Sequence, residues 1–265
     1  QIREQCINMA IELGVVGLMN AQLAYQDGEI YIIEVNPRAS RTVPFVSKCI
    51  GVSLAKIAAK CMAGATLDEL EFTREIVPDF YSVKEAIFPF NKFPGVDPIL
   101  GPEMKSTGEV MGTGSSFAEA YYKSQGLGEL DLEKGGTAFI SVRDPDKAEL
   151  PEVARKFHEL GFKLVATKGT AKIIADAGLP VEKVNKVMEG RPHIVDMLKN
   201  DEIDLIVNTT EGRQAIADSA TIRSTALRQG VYSTTTLASA KAVCDALMFG
   251  GDISVNSLQD LTASK

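Results

Sequence analysis

Residues 136–179 have the sequence GTAFISVRDPDKAELPEVARKFHELGFKLVATKGTAKIIADAGL, in which short apolar runs alternate with amphipathic segments. Ala138–Val142 and Lys163–Ala166 have the composition of buried strands. Ala148–Leu160 and Ala171–Ala177 have the periodicity of helices. Strands that alternate with helices at this spacing predict an α/β fold with a doubly wound parallel sheet. Such sheets bind ligands beyond the carboxyl ends of their strands.

The alternation continues toward the end of the chain. The remaining strand-like and helix-like segments are, in order, Val184–Val187, His193–Lys199, Ile203–Asn208, Gln214–Arg228, Val231–Ser233 and Leu237–Met248. We therefore predict one α/β domain over residues 132–265. His193, at the start of a helix, is interpreted as a cap or packing residue, and the scattered Arg213, Arg223 and Arg228 as solvated helix faces.

Composition limits the function classes. The 265 residues carry 35 acidic and 28 basic side chains, a net charge of −7, which argues against wholesale nucleic-acid binding. The sequence contains no apolar run long enough for a transmembrane helix. The four cysteines form no CxxC pair and are interpreted as free, buried thiols in a reducing cytoplasm. Because the chain starts at Gln1 rather than Met, we expect it to be a fragment of a longer protein.

The first 131 residues divide into two parts. Residues 1–63 have the patterns of a helix, a hairpin around Asp27-Gly28, and a helix over 47–63. Residues 64–131 are rich in proline and glycine, which disfavours long regular elements, but they also carry many aromatic side chains. We predict an ordered, irregular connector that packs against both neighbours and contains a short helix at Ser116–Gln125.

Three polar residues of the predicted hairpin are candidates for one site. Glu34 and Asn36 share a face because they lie two apart on a strand. Gln22 joins them if the loop has three residues, Gln26–Gly28, whereas a two-residue Asp-Gly turn would place Gln22 on the other face.

Carboxylate and amide oxygens suit Mg²⁺, and the following Arg38 and Arg41 suit phosphate or carboxylate oxygens. Spacing alone favours a simpler alternative, a polar sheet face that ends in an Asn36-Pro37 turn.

A second set of polar residues follows four predicted strands of the α/β domain. Because the carboxyl ends of parallel strands meet at one edge, hydroxyls, lysines and helix amino termini there suit a phosphate group. Any one threonine is more often a helix cap, but the converging set favours a site. Its members are Ser141, Lys147, Thr167, Thr170, Lys186, Asn208 and Thr210.

Longer motifs carry a resemblance to a known family. Glu34–Arg41, EVNPRASR, resembles the closing hairpin of an ATP-grasp domain. Thr42–Lys48 and Pro89–Pro98, continuing to Met104, resemble the carbamoyl-phosphate synthase large chain. Ala166–Thr170 resembles an element of the methylglyoxal-synthase-like fold. The resemblance covers the whole chain as the carboxyl-terminal part of that large chain: an ATP-grasp remnant (1–63), the connector (64–131) and a regulatory methylglyoxal-synthase-like domain (132–265).

The resemblance implies an activity and its machinery. The family phosphorylates carbamate with ATP and Mg²⁺ or Mn²⁺, and it makes carbamoyl phosphate for pyrimidine and arginine biosynthesis in the cytoplasm. Gln22, Glu34 and Asn36 match metal-ligand positions, the first two also being ATP positions, and Arg38 and Arg41 match catalytic positions. The implied partners are the rest of the large chain and a glutaminase small subunit, without nucleic acid or membrane. A fragment without the adenine pocket is expected to be inactive alone.

The resemblance also implies effectors. The seven converging residues match positions that bind UMP or IMP, and Glu85, Tyr232 and Thr234 match an ornithine site. A bound nucleotide would act by shifting the connector. Two alternatives stay open: a methylglyoxal-synthase-like lyase, and a stand-alone nucleotide-sensing module. Asn208–Arg213 lacks the Gly-Gly-Asp element of the lyases, which disfavours the first.

Overall fold

A computed structural model describes residues 1–93, 96–101, 103–130, 132, 135–249 and 253–262. The chain forms two compact units, Gln1–Asp79 with Ser254–Lys265, and Phe80–Ile253. These limits differ from the predicted domain limits at 63/64 and 131/132, which stay predictions, and Asp131 lies outside the described residues. Within the described part of the chain, no single helix is long and apolar enough to cross a membrane; one pair, Thr42–Ile50 with Leu54–Met62, meets the criterion only together, with a bend of 109°.

The first unit is built from short helices and one hairpin. Its elements are α1 (Ile2–Glu12), β1 (Asn20–Gln26), β2 (Glu29–Asn36), α2 (Thr42–Ile50) and α3 (Leu54–Met62). The single helix predicted over 47–63 is wrong. Gly51 adopts the left-handed conformation that ends α2 (φ 72°), and the hydroxyl of Ser53 caps α3 by accepting from the Lys56 N–H.

Few side chains of the first unit are buried. Among its described apolar residues, Cys49, Ile50 and Ala58 are buried, whereas Ile11 and Ile33 are largely exposed. Its antiparallel sheet has two strands, β1 and β2. A two-stranded sheet needs further packing for independent stability.

The second unit contains a five-stranded parallel sheet and an antiparallel pair. Its elements are β3 (Tyr81–Ile87), β4 (Gly108–Gly114), α4 (Phe117–Gln125), β5 (Gly136–Ser141), α5 (Leu150–Glu159), β6 (Phe162–Thr167), α6 (Lys168–Asp176), β7 (Glu182–Val184), α7 (Ile194–Lys199), β8 (Leu205–Asn208), α8 (Arg213–Asp218), α9 (Ala220–Gln229), β9 (Tyr232–Thr234) and α10 (Leu237–Met248). The last helix, α11 (Leu258–Thr262), belongs to the first unit.

The parallel sheet has the strand order β7-β6-β5-β8-β9 and carries a core on each face. On the central strand β5, Ala138 and Ile140 join the core with α5 and α10, while Phe139 joins the core with α7 and α9. This alternation follows from the two-residue period of a strand. The predicted doubly wound α/β sheet is therefore confirmed.

The antiparallel pair β3–β4 departs from the irregular connector that was predicted. Each strand has seven residues, and Tyr81 to Ile87 pair in register with Gly114 to Gly108. The glycines of β4 serve packing: a Cβ atom on Gly112 would lie 2.0 Å from the carbonyl oxygen of Ala120 in α4. The predicted short helix at 116–125 is confirmed as α4, with Ser116 as its cap.

Two further predictions concern helix ends and cysteines. His193 caps α7, because its Nδ1 accepts from the Asp196 N–H at 3.4 Å, as expected for a cap. The helix predicted over 214–228 is instead two helices, α8 and α9, which meet at Ser219. The cysteines are free thiols; Cys49 and Cys244 are buried, as predicted, whereas Cys6 and Cys61 are only partly buried.

Candidate functional site

The hairpin of the first unit places Gln22 opposite Glu34, but its turn length and strand register differ from those that the sequence predicted. The turn has two residues, Asp27 and Gly28, both with positive φ, so the three-residue loop is wrong. A register shift after Gln22 leaves Ile33 as an extra residue, and Gln22 pairs directly with Glu34. A β-bulge of this kind returns side chains to the face that a two-residue turn alone would reverse.

The shared face carries oxygen ligands and is exposed. The Asn36 amide donates to Glu34 Oε1 at 2.9 Å, and Gln22 and Glu34 are exposed to solvent. Arg38 donates to the Ala39 carbonyl at 3.1 Å. One carboxylate with amide oxygens fits Mg²⁺ that is held mainly by phosphates. Among the described residues, no cluster of three or more His, Cys, Asp or Glu side chains could hold a metal ion.

A cavity of about 530 Å³ lies at the carboxyl edge of the parallel sheet in the second unit. Five of the seven residues predicted for a phosphate site line it: Ser141, Thr167, Lys186, Asn208 and Thr210. They come from the ends of β5, β6 and β8 and from the segment after β7, as the strand alternation predicted.

Three hydroxyl groups lie next to one another at this edge of the sheet. Ser141 Oγ lies 3.2 Å from Thr167 Oγ1, which lies 3.5 Å from Thr170 Oγ1. The Thr170 hydroxyl also accepts from the Val142 N–H at 3.2 Å. Thr170 is buried and is absent from the cavity lining, so it supports Thr167 from behind.

Lys147 is the other predicted residue that does not line the cavity, and it pairs instead with Asp144, which does. Lys147 Nζ lies 2.6 Å from Asp144 Oδ1. The pKa of Asp144 is lowered, chiefly by the hydrogen bond and charge of Lys147 and further by the charge of Lys186. The Asp144 side chain is 89% exposed, so this ion pair lies in contact with solvent. Of the two lysines, Lys186 lines the cavity, where a phosphate would meet its charge.

One buried polar group at the edge has no partner. The Asn208 side chain lines the cavity with 6% of its surface exposed, and its Nδ2 finds no acceptor among the described residues. A buried donor without a partner costs free energy. A ligand oxygen in the cavity would supply the acceptor.

Several lining residues were not anticipated. Arg143 and Asp144 follow β5, Ser219 lies at the junction of α8 and α9, and Ile222 belongs to α9. The Arg143 N–H donates to Thr209 Oγ1 at 3.0 Å, which joins the loops after β5 and β8. The run Arg-Asp-Pro-Asp directly after a predicted strand was the available signal for the first two.

The set predicted for an ornithine-type effector is only partly assembled. Tyr232 donates to Gln125 Oε1 at 2.7 Å, and Gln125 Nε2 donates to Glu85 Oε2 at 2.9 Å. Gln125, which was not predicted, therefore bridges Glu85 and Tyr232. Burial raises the pKa of Tyr232 well above its usual value, which keeps the phenol a donor. Thr234 is buried, and its Oγ1 has no partner within the described residues.

Comparisons with known proteins match both units. A family model for the MGS-like domain covers residues 149–235, and one for the carbamoyl-phosphate synthase L chain, ATP binding domain, covers residues 1–70. The carbamoyl phosphate synthase large chain of Pseudomonas syringae pv. tomato is 67% identical over 99% of this chain, and that of Halomonas eurihalina is 66% identical over 99%. The chain spans 24% and 25% of those relatives.

A crystal structure of methylglyoxal synthase from Elizabethkingia anophelis aligns with 43% of this chain and 79% of its own, at 21% identity and a TM-score of 0.36.

The fold and the family matches together define the class of the protein: a doubly wound MGS-like domain joined to part of an ATP-binding domain of the ATP-grasp type. The chain belongs to the carbamoyl-phosphate synthase large-chain family.

Proposed function

We propose that the cavity in the second unit binds a regulatory nucleoside monophosphate of the UMP or IMP type. The observation that carries this proposal is the grouping of five predicted polar side chains around one cavity at the carboxyl edge of the sheet, those of Ser141, Thr167, Lys186, Asn208 and Thr210. Lysine is a common phosphate ligand, and the Thr167 hydroxyl beside α6 is suited to a phosphate oxygen. The unpartnered amide of Asn208 suits a ribose or base oxygen.

The same proposal assigns the chain to an enzyme that makes carbamoyl phosphate for pyrimidine and arginine biosynthesis in the cytoplasm. Its partners are the rest of the large chain and a glutaminase subunit. Mg²⁺ or Mn²⁺ with ATP would supply charge neutralisation for phosphoryl transfer. Gln22, Glu34 and Asn36 would hold the metal, and the exposed Arg38 and Arg41 would orient phosphate oxygens. The grouping of Gln22, Glu34 and Asn36 by the hairpin register supports this assignment.

A calorimetric titration tests the nucleotide site. UMP and IMP should bind to the protein, inorganic phosphate should compete with both, and uridine should bind far more weakly, because the lysines recognise the phosphate. Uridine that binds as tightly as UMP would refute a phosphate-directed site.

A second titration tests the effector proposed at Glu85. Ornithine carries an amine that suits the Glu85 carboxylate, and the bridge from Glu85 through Gln125 to Tyr232 supports a polar site there. We expect Glu85→Gln to weaken ornithine binding several-fold while UMP binding is unchanged, because the substitution removes the charge and keeps the shape. Equal ornithine affinity in the two proteins would exclude Glu85 as the amine partner.

The chain alone should not phosphorylate carbamate at a measurable steady rate with MgATP. Its first unit offers one carboxylate, two amides and two exposed arginines on a hairpin face, which can position phosphates but does not enclose them. Release of ADP that depends on carbamate is the measurement. Sustained turnover by the chain alone would contradict the expectation, and turnover by the complete large chain is the positive control.

A further inference from the structure

Arg223 in α9 is the one predicted solvated arginine whose side chain is nearly buried, with 11% exposed. Its Nε donates to Asp97 Oδ1 at 2.9 Å, and one Nη donates to Asp97 Oδ2 at 2.7 Å. The same Nη donates to the Ile216 carbonyl in α8 at 2.9 Å. A two-point arginine–carboxylate pair fixes direction as well as distance. The interpretation of Arg223 as a solvated residue is therefore wrong.

Asp97 organises the loop that carries it. Its Oδ1 also accepts from the Ile99 N–H at 3.2 Å, and Lys105 Nζ donates to the Ile99 carbonyl at 2.8 Å. The hydrogen bond from Arg223 is the main reason that the pKa of Asp97 is lowered. The carboxylate thus joins the loop at 96–101 to α9. Pro94, Gly95 and Pro102, which belong to the family-like motifs of this loop, lie outside the described residues.

The helices joined by this pair form one wall of the cavity. Ala215 of α8, Ser219 at the junction and Ile222 of α9 line the cavity, and Arg223 follows Ile222 directly. The backbone N–H of Arg223 donates to the Ser219 carbonyl at 3.0 Å. Arg223 and Asp97 themselves do not line the cavity. The guanidinium therefore holds α8, α9 and the 96–101 loop in one arrangement from behind the wall.

We infer that Asp97 and Arg223 are positioning residues for the cavity, which fix the α8–α9 wall and link its movement to the 96–101 loop. The inference rests on the proposed nucleotide site only for the ligand used as a probe. A ligand that contacts Ser219 or Ile222 restricts the motion of α9. Because Arg223 of α9 is paired with Asp97, the motion of the 96–101 loop is restricted as well. Such coupling requires that the ligand bind unequally to two arrangements of the wall.

The test compares Asp97→Asn with the unchanged protein, using UMP as the probe. The amide keeps the shape of the side chain and removes the charge. We expect UMP affinity to fall by about tenfold, the size of effect that follows from losing a charged hydrogen bond. Hydrogen exchange should show that UMP protects the amides of 96–101 in the unchanged protein but not in the variant. Unchanged affinity with intact protection would overturn the inference.

Two further variants keep the test decisive. Arg223→Lys retains the charge but not the two-point geometry, so it should fold and lose about threefold in affinity. Glu182→Gln removes the exposed pair with Lys163, away from the cavity, and should change neither measurement. If the unchanged protein does not bind UMP, the nucleotide proposal fails by itself. Amide hydrogen exchange of the ligand-free protein then tests the positioning role by itself. Asp97→Asn must speed the exchange of the amides of residues 213–222, and unchanged rates there would refute that role.

Discussion

Gly112→Ala should destabilise the second unit by about 3 kcal/mol, the upper end of the usual cost of overpacking. A Cβ atom at this position would lie 2.0 Å from the Ala120 carbonyl oxygen and 2.7 Å from the Ser124 nitrogen, both backbone atoms of α4. Neither can move without shifting the helix. Alanine also restricts the unfolded chain, which favours folding by about 0.4–1 kcal/mol, but this gain is smaller than the clash.

The free energy of unfolding in urea, followed by circular dichroism, measures this effect. Gly108→Ala in the same strand is the matched control, because its nearest neighbour would be Ile87 Cδ1 at 3.8 Å, an ordinary contact. We expect only Gly112→Ala to lower the urea concentration at which half of the protein is unfolded, without changing the slope of the unfolding free energy against urea concentration. Equal midpoints for the two variants would mean that α4 does not pack against β4 at this distance.

The parallel sheet could be predicted because its signals are local and periodic. The central strands β5, β6 and β8 are short apolar runs, and α10 was predicted with the bounds that the structure shows, Leu237–Met248. The breaks at Gly51 and Ser219 were missed, because apolar spacing continues across both positions. The β3–β4 pair was missed because the density of proline and glycine around it outweighed the strand-like run at Tyr81–Ile87.

The candidate sites also have parts that could be predicted from the sequence and parts that could not. Ser141, Lys186 and Asn208 could be placed together, because the ends of parallel strands share an edge whatever the loops do. The pair between Asp97 and Arg223 joins residues 126 positions apart and leaves no periodic trace in the sequence. The extra residue at Ile33 was equally hidden, since a bulge depends on the pairing of two strands rather than on the composition of either.

Lys186→Ala should weaken UMP binding by about 10- to 100-fold, the range that corresponds to 1.5–3 kcal/mol for a hydrogen bond to a charged group. Lys186 lines the cavity, so its charge is available to a ligand there. Calorimetry at constant ionic strength measures the change, because salt screens such contacts. Lys163→Ala is the control: this lysine pairs with Glu182 on an exposed surface and should have no effect.

Asp144→Asn should change UMP affinity in the opposite direction, and this contrast separates a phosphate site from a generally basic surface. Asp144 already neutralises Lys147, so a phosphate must compete with that carboxylate for the lysine. Because the pair is exposed, it is weak and yields readily to a doubly charged ligand. Removing the carboxylate charge should therefore tighten UMP binding, by up to about fivefold, and leave uridine binding unchanged. If Lys186→Ala and Asp144→Asn shift the affinity for UMP in the same direction, the two lysines and Asp144 do not meet at a phosphate.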